Sequence, residues 1–222
     1  YQHFSIREIS PEKTVLFVFG CQRSGTTLLL DILERDPNTR VYGEFSVLSS
    51  QDRAHKIRLN PLPRVRRQIA NARPPFIIMK PLVESQHAPT LLEFFQGSKA
   101  VWMYRHYRDV AASNLSLWGA RNGINNLRPI VQNDPHNWRS ENASEHTKAI
   151  VRQYFSEDMP PYDAAALFWV VRNRLFFELN LDKNNHVMMC RYDDLINDST
   201  RVMNSIYDFV GYTYPAETMR LK

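Results

Sequence analysis

The sequence predicts an α/β fold with three layers, in which helices cover both faces of a central parallel sheet. Short apolar runs alternate with helical patterns along most of the chain, and the first run breaks at Gly20 into a polar loop that precedes a helix. The chain has 222 residues, of which 43% are hydrophobic, so it can bury one substantial core. We therefore expect a single domain over residues 1–222. Trimming of the chain at both ends is compatible with this expectation.

Four runs are predicted to be buried strands because they are rich in apolar, β-branched and aromatic residues. They are residues 14–19, 76–79, 100–104 and 187–190. The predicted helices lie at residues 26–35, 88–95, 109–117, 164–181 and 199–210, and Gly211 is a typical C-cap for the last. This alternation implies parallel strands joined by right-handed crossovers, with ligand sites beyond the carboxyl ends of the strands.

Two segments depart from the alternation, residues 46–75 and 119–161. Within the first, residues 53–73 hold seven Lys or Arg and no Asp or Glu, and nearby prolines predict a surface loop or a broken helix. Such a cluster is typical of a surface that binds nucleic acid or an acidic substrate, and also of a surface that only faces solvent. Among these alternatives, we expect no nucleic acid partner. The second segment lacks a clear period, and we expect one helix in it, near residues 143–155.

The loop after the first strand has the spacing of a phosphate-binding turn. Gly20 and Gly25 match the glycines of G-x-x-x-x-G-K-[ST], but Thr26 occupies the position of the lysine that contacts nucleoside triphosphates. A turn rich in free N–H groups before a helix N-terminus still favours an anion. Arg23 supplies a positive charge from within the loop. The alternative is an ordinary strand–turn–helix connection.

The segment Q-R-S-G-T-T, followed by an apolar helix, resembles the phosphosulfate loop of sulfotransferases that use 3'-phosphoadenosine 5'-phosphosulfate (PAPS). The resemblance implies a P-loop-like fold and transfer of the sulfuryl group of PAPS to a hydroxyl acceptor, with 3'-phosphoadenosine 5'-phosphate (PAP) as product. It also implies that this loop holds the donor. The implied donor contacts are Arg23, Ser24, Gly25, Thr26 and Thr27.

A second motif follows the third predicted strand. Arg105 stands at the strand end and Ser113 eight residues later, a spacing that resembles the 3'-phosphate motif of the same family. A guanidinium can hold two phosphate oxygens, and a hydroxyl in the next helix can share them. We therefore expect Arg105 and Ser113 to bind the 3'-phosphate. Arg108 is the alternative ligand, unless it only pairs with Asp109.

A third motif, R-Y-D-D-L after the last predicted strand, resembles a segment whose tyrosine approaches adenine in cytosolic members. This implies a donor contact for Tyr192; a packed tyrosine is the alternative. Leu28 stands where cytosolic members have a tryptophan on the adenine, and no basic, glycine-containing loop is seen before Lys222. The chain therefore resembles the tyrosyl-protein, heparan-type and bacterial branches more than the cytosolic one.

Sulfuryl transfer needs a base for the acceptor proton and positive groups for the charge on the leaving oxygen. Glu44, in R-V-Y-G-E-F, matches the base of the tyrosyl-protein and heparan-type enzymes, and a surface or capping role is its alternative. Lys80 in M-K-P-L resembles the lysine that faces the sulfuryl group. The resemblance thus implies catalytic roles for Glu44, Arg23 and Lys80, with His87 and His106 as other candidate bases.

No metal is expected, because the lysine and acidic magnesium ligands of an NTPase are absent and Cys21 and Cys190 form no metal motif. Residues 46–75 and 119–161 are expected to form the acceptor side, for an anionic or sugar-like acceptor. We expect no membrane segment and a cytoplasmic enzyme, with a secretory or Golgi location as the alternative. A divergent P-loop kinase or NTPase and a non-catalytic nucleotide-binding module are the competing functions.

Overall fold

The computed structural model describes residues 13–50 and 57–216. Its strands form one five-stranded sheet in the order β2-β3-β1-β4-β5, and every pairing is parallel. The strands are β1 Thr14–Gly20, β2 Thr39–Tyr42, β3 Phe76–Met79, β4 Lys99–Tyr104 and β5 Val187–Arg191. The predicted fold class is confirmed, because helices pack on both faces of this sheet.

The α-helices follow the strands as expected for crossover connections. They are α1 Thr26–Leu33, α2 Leu62–Ala70, α3 Ala88–Phe94, α4 Tyr107–Trp118, α5 Asn122–Val131, α6 Glu145–Tyr154, α7 Pro161–Glu178, α8 Tyr192–Asn197 and α9 Ser199–Val210. Short 3-10 helices span Leu82–His87 and Leu181–Lys183. Five of the α-helices match predicted ones within a few residues, and α6 is the helix expected near residues 143–155.

The alternation of side chains along β1 separates two cores. Phe17 and Phe19 point into a cluster with residues of α2, α3 and α7, whereas Leu16 and Val18 point into a cluster with α1 and α9. All four side chains are fully buried. A third apolar cluster joins α5, α6 and α7 around Trp138. This third cluster attaches a helical layer to the side of the sheet where β3 and β4 end.

Three elements differ from the sequence prediction. The edge strand β2 was not predicted, because it has four residues and carries Thr39 and Arg40 in place of an apolar run. A loop or broken helix was expected over the cationic stretch, but its residues 62–70 form a regular helix, α2. Val65 and Ile69, four residues apart, bury one face of it, while its arginines lie outside. Residues 53–56 of that stretch lie outside the described residues.

The segment 119–161 contains two helices, where one was predicted. The additional helix, α5, carries Pro129 in its interior and has a polar composition, and both features hide its periodicity. Its buried face includes Ile124, Leu127 and Ile130, which pack against α7 in the third cluster. This packing, rather than local propensity, stabilises α5.

Candidate active site

The candidate site lies at the carboxyl edge of the sheet. There β1 ends at Gly20, β3 leads into Lys80, β4 leads into Arg105, and β5 leads into Tyr192. Parallel pairing places these strand ends side by side, since Phe17 pairs with Met79 and Gly20 with Met103. The topology therefore gathers residues from four distant parts of the sequence at one edge.

The phosphate loop, residues 20–27, has the backbone of an anion-binding turn. Gly20, Arg23 and Gly25 have φ values of 136°, 69° and 88°, and α1 begins directly afterwards at Thr26. A positive φ is uncommon for arginine and often marks a functional turn. Ser24 is fully buried, and its Oγ has no hydrogen-bond partner among the described residues. The loop thus holds a polar atom without a partner beside the free N–H groups of a helix start.

The two predicted phosphate motifs meet in space. Arg23 Nε donates a hydrogen bond to Ser113 Oγ at 2.9 Å, although the two residues are 90 positions apart in the sequence. Arg105 donates from Nη1 to the carbonyl of Arg23 at 3.4 Å, and its Nε is buried without a hydrogen-bond partner in the described part of the chain. The carboxylate of Asp109 lies 3.9 Å from that Nε, too far for a hydrogen bond. Two guanidinium groups and a hydroxyl therefore lie within one small region.

Arg108 lies apart from this group in the structure. Its Nε donates to the hydroxyl of Tyr107 at 3.2 Å, and the side chain is exposed. Asp109 pairs with Arg105 in preference to its neighbour Arg108. The geometry therefore favours Arg105 over Arg108 as the anion ligand.

Tyr192 lies between the two phosphate motifs. Its ring centroid is 4.1 Å from Cζ of Arg105, a cation–π distance. On the other side, a Cβ atom added to Gly25 would come within 2.3 Å of the Tyr192 ring. Gly25 is thus required twice, for its positive φ and for the close approach of this ring. The tyrosine links the position of the loop to that of Arg105.

Glu44 and Lys80 form the other half of the site. Glu44 follows β2, and its Oε2 lies 3.9 Å from Nζ of Lys80, which in turn donates to Oγ1 of Thr27 at 3.2 Å. The backbone N–H of Lys80 donates to the carbonyl of Tyr42 at 2.9 Å, which fixes the end of β3 against β2. The carboxylate of Glu44, the ammonium group of Lys80 and the phosphate loop therefore lie next to one another in space at the strand ends.

The pKa of Glu44 is raised above its ordinary value. Burial of the carboxyl is the largest cause, and the positive charges of Lys80 and Arg172 oppose it. A carboxylate with a raised pKa is a stronger base than an exposed one and still carries its charge above that pKa. Glu44 is thus a buried carboxyl beside two positive charges, and its role as the base stays a prediction.

The two histidines that were alternative bases have other partners. Nε2 of His87 lies 3.1 Å from Glu141, in a network that also includes Arg58 and Glu84. His106 is exposed and caps α4 by accepting a hydrogen bond from the backbone of Arg108. Both arrangements are structural, so neither histidine matches the position of Glu44 beside Lys80.

Sequence reasoning missed Arg172 and Ser85. Arg172 is 1% exposed within α7, and the available signal was one arginine inside the apolar run A-A-A-L-F-W-V-V-R. Ser85 is fully buried, and its Oγ accepts a hydrogen bond from the N–H of Gly20 at 3.4 Å. The sequence around Ser85 contains no motif that points to this contact. Ser85 thus contacts the start of the loop directly, whereas Arg172 hydrogen-bonds to the segment that carries Ser85.

Two further observations concern metals and membranes. Among residues 13–50 and 57–216, no group of three or more His, Cys, Asp or Glu side chains is placed to hold a metal ion. Within the same residues, no helix combines the length and apolar character that crossing a bilayer requires.

Cys21, in the phosphate loop, is buried, and burial raises the pKa of its thiol to about 12, so it is not a reactive nucleophile.

Comparison with known proteins places the fold and the family. A sequence model described as a sulfotransferase domain matches residues 13–221. No curated protein matches the chain significantly.

Several solved structures share the fold. The sulfotransferase domain of the Synechococcus PCC 7002 olefin synthase has a TM-score of 0.55 and 16% identity, covering 98% of this chain and 80% of that one. A sulfotransferase from Alicyclobacillus acidocaldarius has a TM-score of 0.56 and 13% identity, with coverage of 95% and 86%. One from Mycobacterium avium has a TM-score of 0.54 and 15% identity, with coverage of 95% and 67%.

Proposed function

This chain belongs to the sulfotransferase family, and we propose that it transfers the sulfuryl group of PAPS to a hydroxyl acceptor, with Glu44 as the base. The observation that carries the proposal is the contact of Arg23 with Ser113 and Arg105. It unites a loop suited to a 5'-phosphosulfate with a pair suited to a 3'-phosphate. An ordinary nucleoside triphosphate has no 3'-phosphate to use the second pair.

The residues present fit a donor with phosphates at both ends. Ser24 Oγ and Arg105 Nε are buried polar atoms without hydrogen-bond partners among the described residues, and phosphate oxygens would satisfy both. In the proposed complex the backbone and hydroxyls of residues 24–27 hold the 5'-phosphate, while Arg105 and Ser113 hold the 3'-phosphate. Arg23 lies between the two groups. Tyr192 contacts the donor from the β5 side and keeps Arg105 in place.

Bound PAPS supplies an electrophilic sulfur and PAP as the leaving group: a bond from the acceptor oxygen to sulfur forms as the bond from sulfur to the bridging phosphate oxygen breaks. Glu44 takes the proton of the acceptor hydroxyl on its carboxylate. Lys80, which contacts Thr27 of the loop, places its positive charge where the leaving oxygen gains negative charge. Arg23 adds a second positive charge on the loop.

The acceptor is proposed only as a hydroxyl compound of anionic or sugar-like character. Two cations in the described part of the cationic segment contact other parts of the protein. Arg58 is held by Glu84 and Glu141. Arg66 lies over the ring of Phe94, in a groove with Lys13, a residue next to the amino end of β1. Arg58 and Arg66 therefore have partners within the protein.

We likewise propose a cytoplasmic location.

A binding comparison followed by an activity assay tests the function. We expect PAP to raise the Tm and to bind far more tightly than AMP, which lacks the 3'-phosphate, or ATP with Mg²⁺. Labelled PAPS should then transfer its sulfuryl group to members of a panel of phenols, sugars and peptides. Tight ATP–Mg²⁺ binding without a response to PAP would instead indicate a divergent kinase or NTPase. PAP binding without transfer to any acceptor would indicate a non-catalytic module.

A further inference from the structure

Arg172 is a buried cation that the proposed chemistry has not yet used. It lies in α7 with 1% of its surface exposed, and burying a guanidinium is costly unless its donors are satisfied. Over residues 13–50 and 57–216 it forms no ion pair with a carboxylate. Its guanidinium instead lies 5.0 Å from the ring of Trp138 and donates to uncharged oxygens. Its positive charge is therefore not neutralised by a direct contact there.

The hydrogen bonds of Arg172 lead to the start of the phosphate loop. Nη2 donates to the carbonyl of Leu82 at 3.0 Å, and the same carbonyl accepts from Ser85 Oγ at 2.8 Å. Ser85 Oγ accepts from the N–H of Gly20, where β1 ends. Leu82 is two residues after Lys80. One buried side chain thus fixes both the turn after Lys80 and the first residue of the loop.

The charge of Arg172 also acts on Glu44. The charged groups that face this carboxyl are Lys80 from the end of β3 and Arg172 from α7, and both favour its ionised form. Arg172 itself faces Cys21, Arg139, Glu84 and Glu141. Burial lowers the pKa of Arg172 to about 10, so the guanidinium remains charged at neutral pH. Its positive charge is thus present over the range in which Glu44 would act.

We propose that Arg172 is a positioning residue for sulfuryl transfer, which fixes the Lys80 turn and the loop start from within the helical layer and supplies a buried positive charge to Glu44. The inference rests on the proposed function. It explains why the buried face of α7, which is mostly apolar and packs on α5 and on the sheet, carries an arginine. The helical layer and the catalytic edge are joined through this residue.

The test compares three variants with the wild-type protein. Arg172→Met removes the charge and the donors, Arg172→Lys keeps the charge with fewer donors, and Arg174→Met is the matched control. Arg174 lies in the same helix and pairs with Glu178 instead. The titration of the Glu44 carboxyl is followed by ¹³C NMR, with Glu44→Gln to assign its signal. PAP affinity, Tm and the kcat and KM for sulfuryl transfer are measured in parallel.

We expect Arg172→Met to move the Glu44 titration to higher pH, while Arg172→Lys and Arg174→Met leave it near the wild-type position. Misplacement of Lys80 should lower kcat about tenfold or more in both Arg172 variants. PAP affinity should fall by a smaller factor, because Arg172 reaches the loop only through Leu82 and Ser85. This split distinguishes positioning from a general loss of structure, which would lower PAP affinity and Tm together.

The outcomes separate this inference from the proposed function. A Glu44 titration and a kcat that are unchanged in Arg172→Met overturn the inference, whatever the activity of the wild type. If Arg172→Met does not fold, Arg172→Lys decides: a wild-type kcat in that variant overturns the inference. A wild-type protein that transfers no sulfuryl group, while its Glu44 titration still responds to Arg172, overturns the proposed function and leaves the charge effect standing.

Discussion

The two halves of the candidate site are built in different ways. On the phosphate side, Arg23, Arg105 and Ser113 each come from a motif that directly follows a strand, and the parallel sheet aligns these motifs. On the base side, Glu44 follows a four-residue edge strand, and its charge environment includes Arg172 from a helix far along the chain. Local sequence therefore specifies the first half, and packing specifies much of the second.

This difference has a physical origin. A phosphate site needs N–H groups, guanidinium groups and hydroxyls at a strand end, and a short motif can supply all of them. A carboxylate base needs a pKa adjusted by burial and by charges, which only the folded neighbours determine. Variants in the two halves should therefore differ in what they change: donor affinity on one side, and turnover and pH dependence on the other.

The largest expected effect is on the base side. Glu44→Gln keeps the shape of the side chain and removes its ability to take a proton, so kcat should fall by about 10²–10⁴-fold. PAP affinity should stay within about twofold of the wild-type value, since the phosphate ligands are unchanged. Stopped-time assays with labelled PAPS and calorimetric PAP titration measure the two quantities. Near-normal turnover would show that another group is the base.

The next largest effect is expected at the contact between the two phosphate motifs. Gly25→Ala places a methyl group 2.3 Å from the Tyr192 ring and forces a positive φ on alanine. Moving the ring disturbs Arg105 as well, so PAP affinity should fall roughly a hundredfold, in line with about 3 kcal/mol of strain. Gly97→Ala is the control, because it also has a positive φ but no atom within 4 Å of its new Cβ. Equal PAP affinities in the two variants would contradict the role of Tyr192.

The sequence alone predicts some parts of the candidate site better than others. The sequence allowed phosphate ligands to be proposed because Gly20, Gly25 and Arg105 hold fixed places relative to predicted strands. The position of Tyr192 against Gly25 could not be predicted, since it depends on the register of β4 and β5. Arg172 could not be assigned either, because nothing in the local sequence separates this buried arginine from Arg174, two residues later in the same helix.

The fold shows the same limit. Buried strands such as β1 and β4 are continuous apolar runs that local sequence reveals. β2 and α5 form because neighbouring elements stabilise them, so their polar residues and Pro129 gave no clear signal. Elements next to the predicted phosphate motifs were predicted well. The edge strand β2 was missed, and only one of the two helices between residues 119 and 161 was expected.

Selectivity for the 3'-phosphate tests the phosphate side alone. Arg105→Met removes a guanidinium whose Nε has no hydrogen-bond partner among the described residues, so PAP affinity should fall by about 10–100-fold. AMP lacks the 3'-phosphate, and its affinity should change by less than about threefold. Arg108→Met, on the exposed neighbour, should alter neither. Calorimetry with both nucleotides measures the ratio; a parallel loss for AMP would mean that Arg105 acts only through the loop.

A pH profile sharpens the base side. The proposed base Glu44 must be ionised to take a proton, and its pKa is raised, so kcat/KM should decline on the acid side at a pH above the ordinary titration range of a glutamate. Lys80→Met removes a charge that lowers this pKa, so the acid limb should move to still higher pH, and kcat/KM should fall by a larger factor on the acid side than at the pH optimum. An acid limb that stays at its wild-type position would show that the charge of Lys80 does not act on the Glu44 carboxyl.

The smallest effect is expected in the cationic segment, residues 53–73. Arg64 and Arg67 are exposed on α2, whose buried face is formed by Val65 and Ile69. Replacing both arginines by Gln should change the free energy of unfolding by less than about 0.5 kcal/mol, because surface substitutions of this kind remove no packed atoms. PAP affinity should also remain within about twofold, since the phosphate ligands lie at the ends of β1 and β4. Chemical denaturation and PAP titration at two salt concentrations measure both. A marked, salt-dependent loss of PAP affinity would mean that the cationic segment, and not only the two strand-end motifs, attracts the donor.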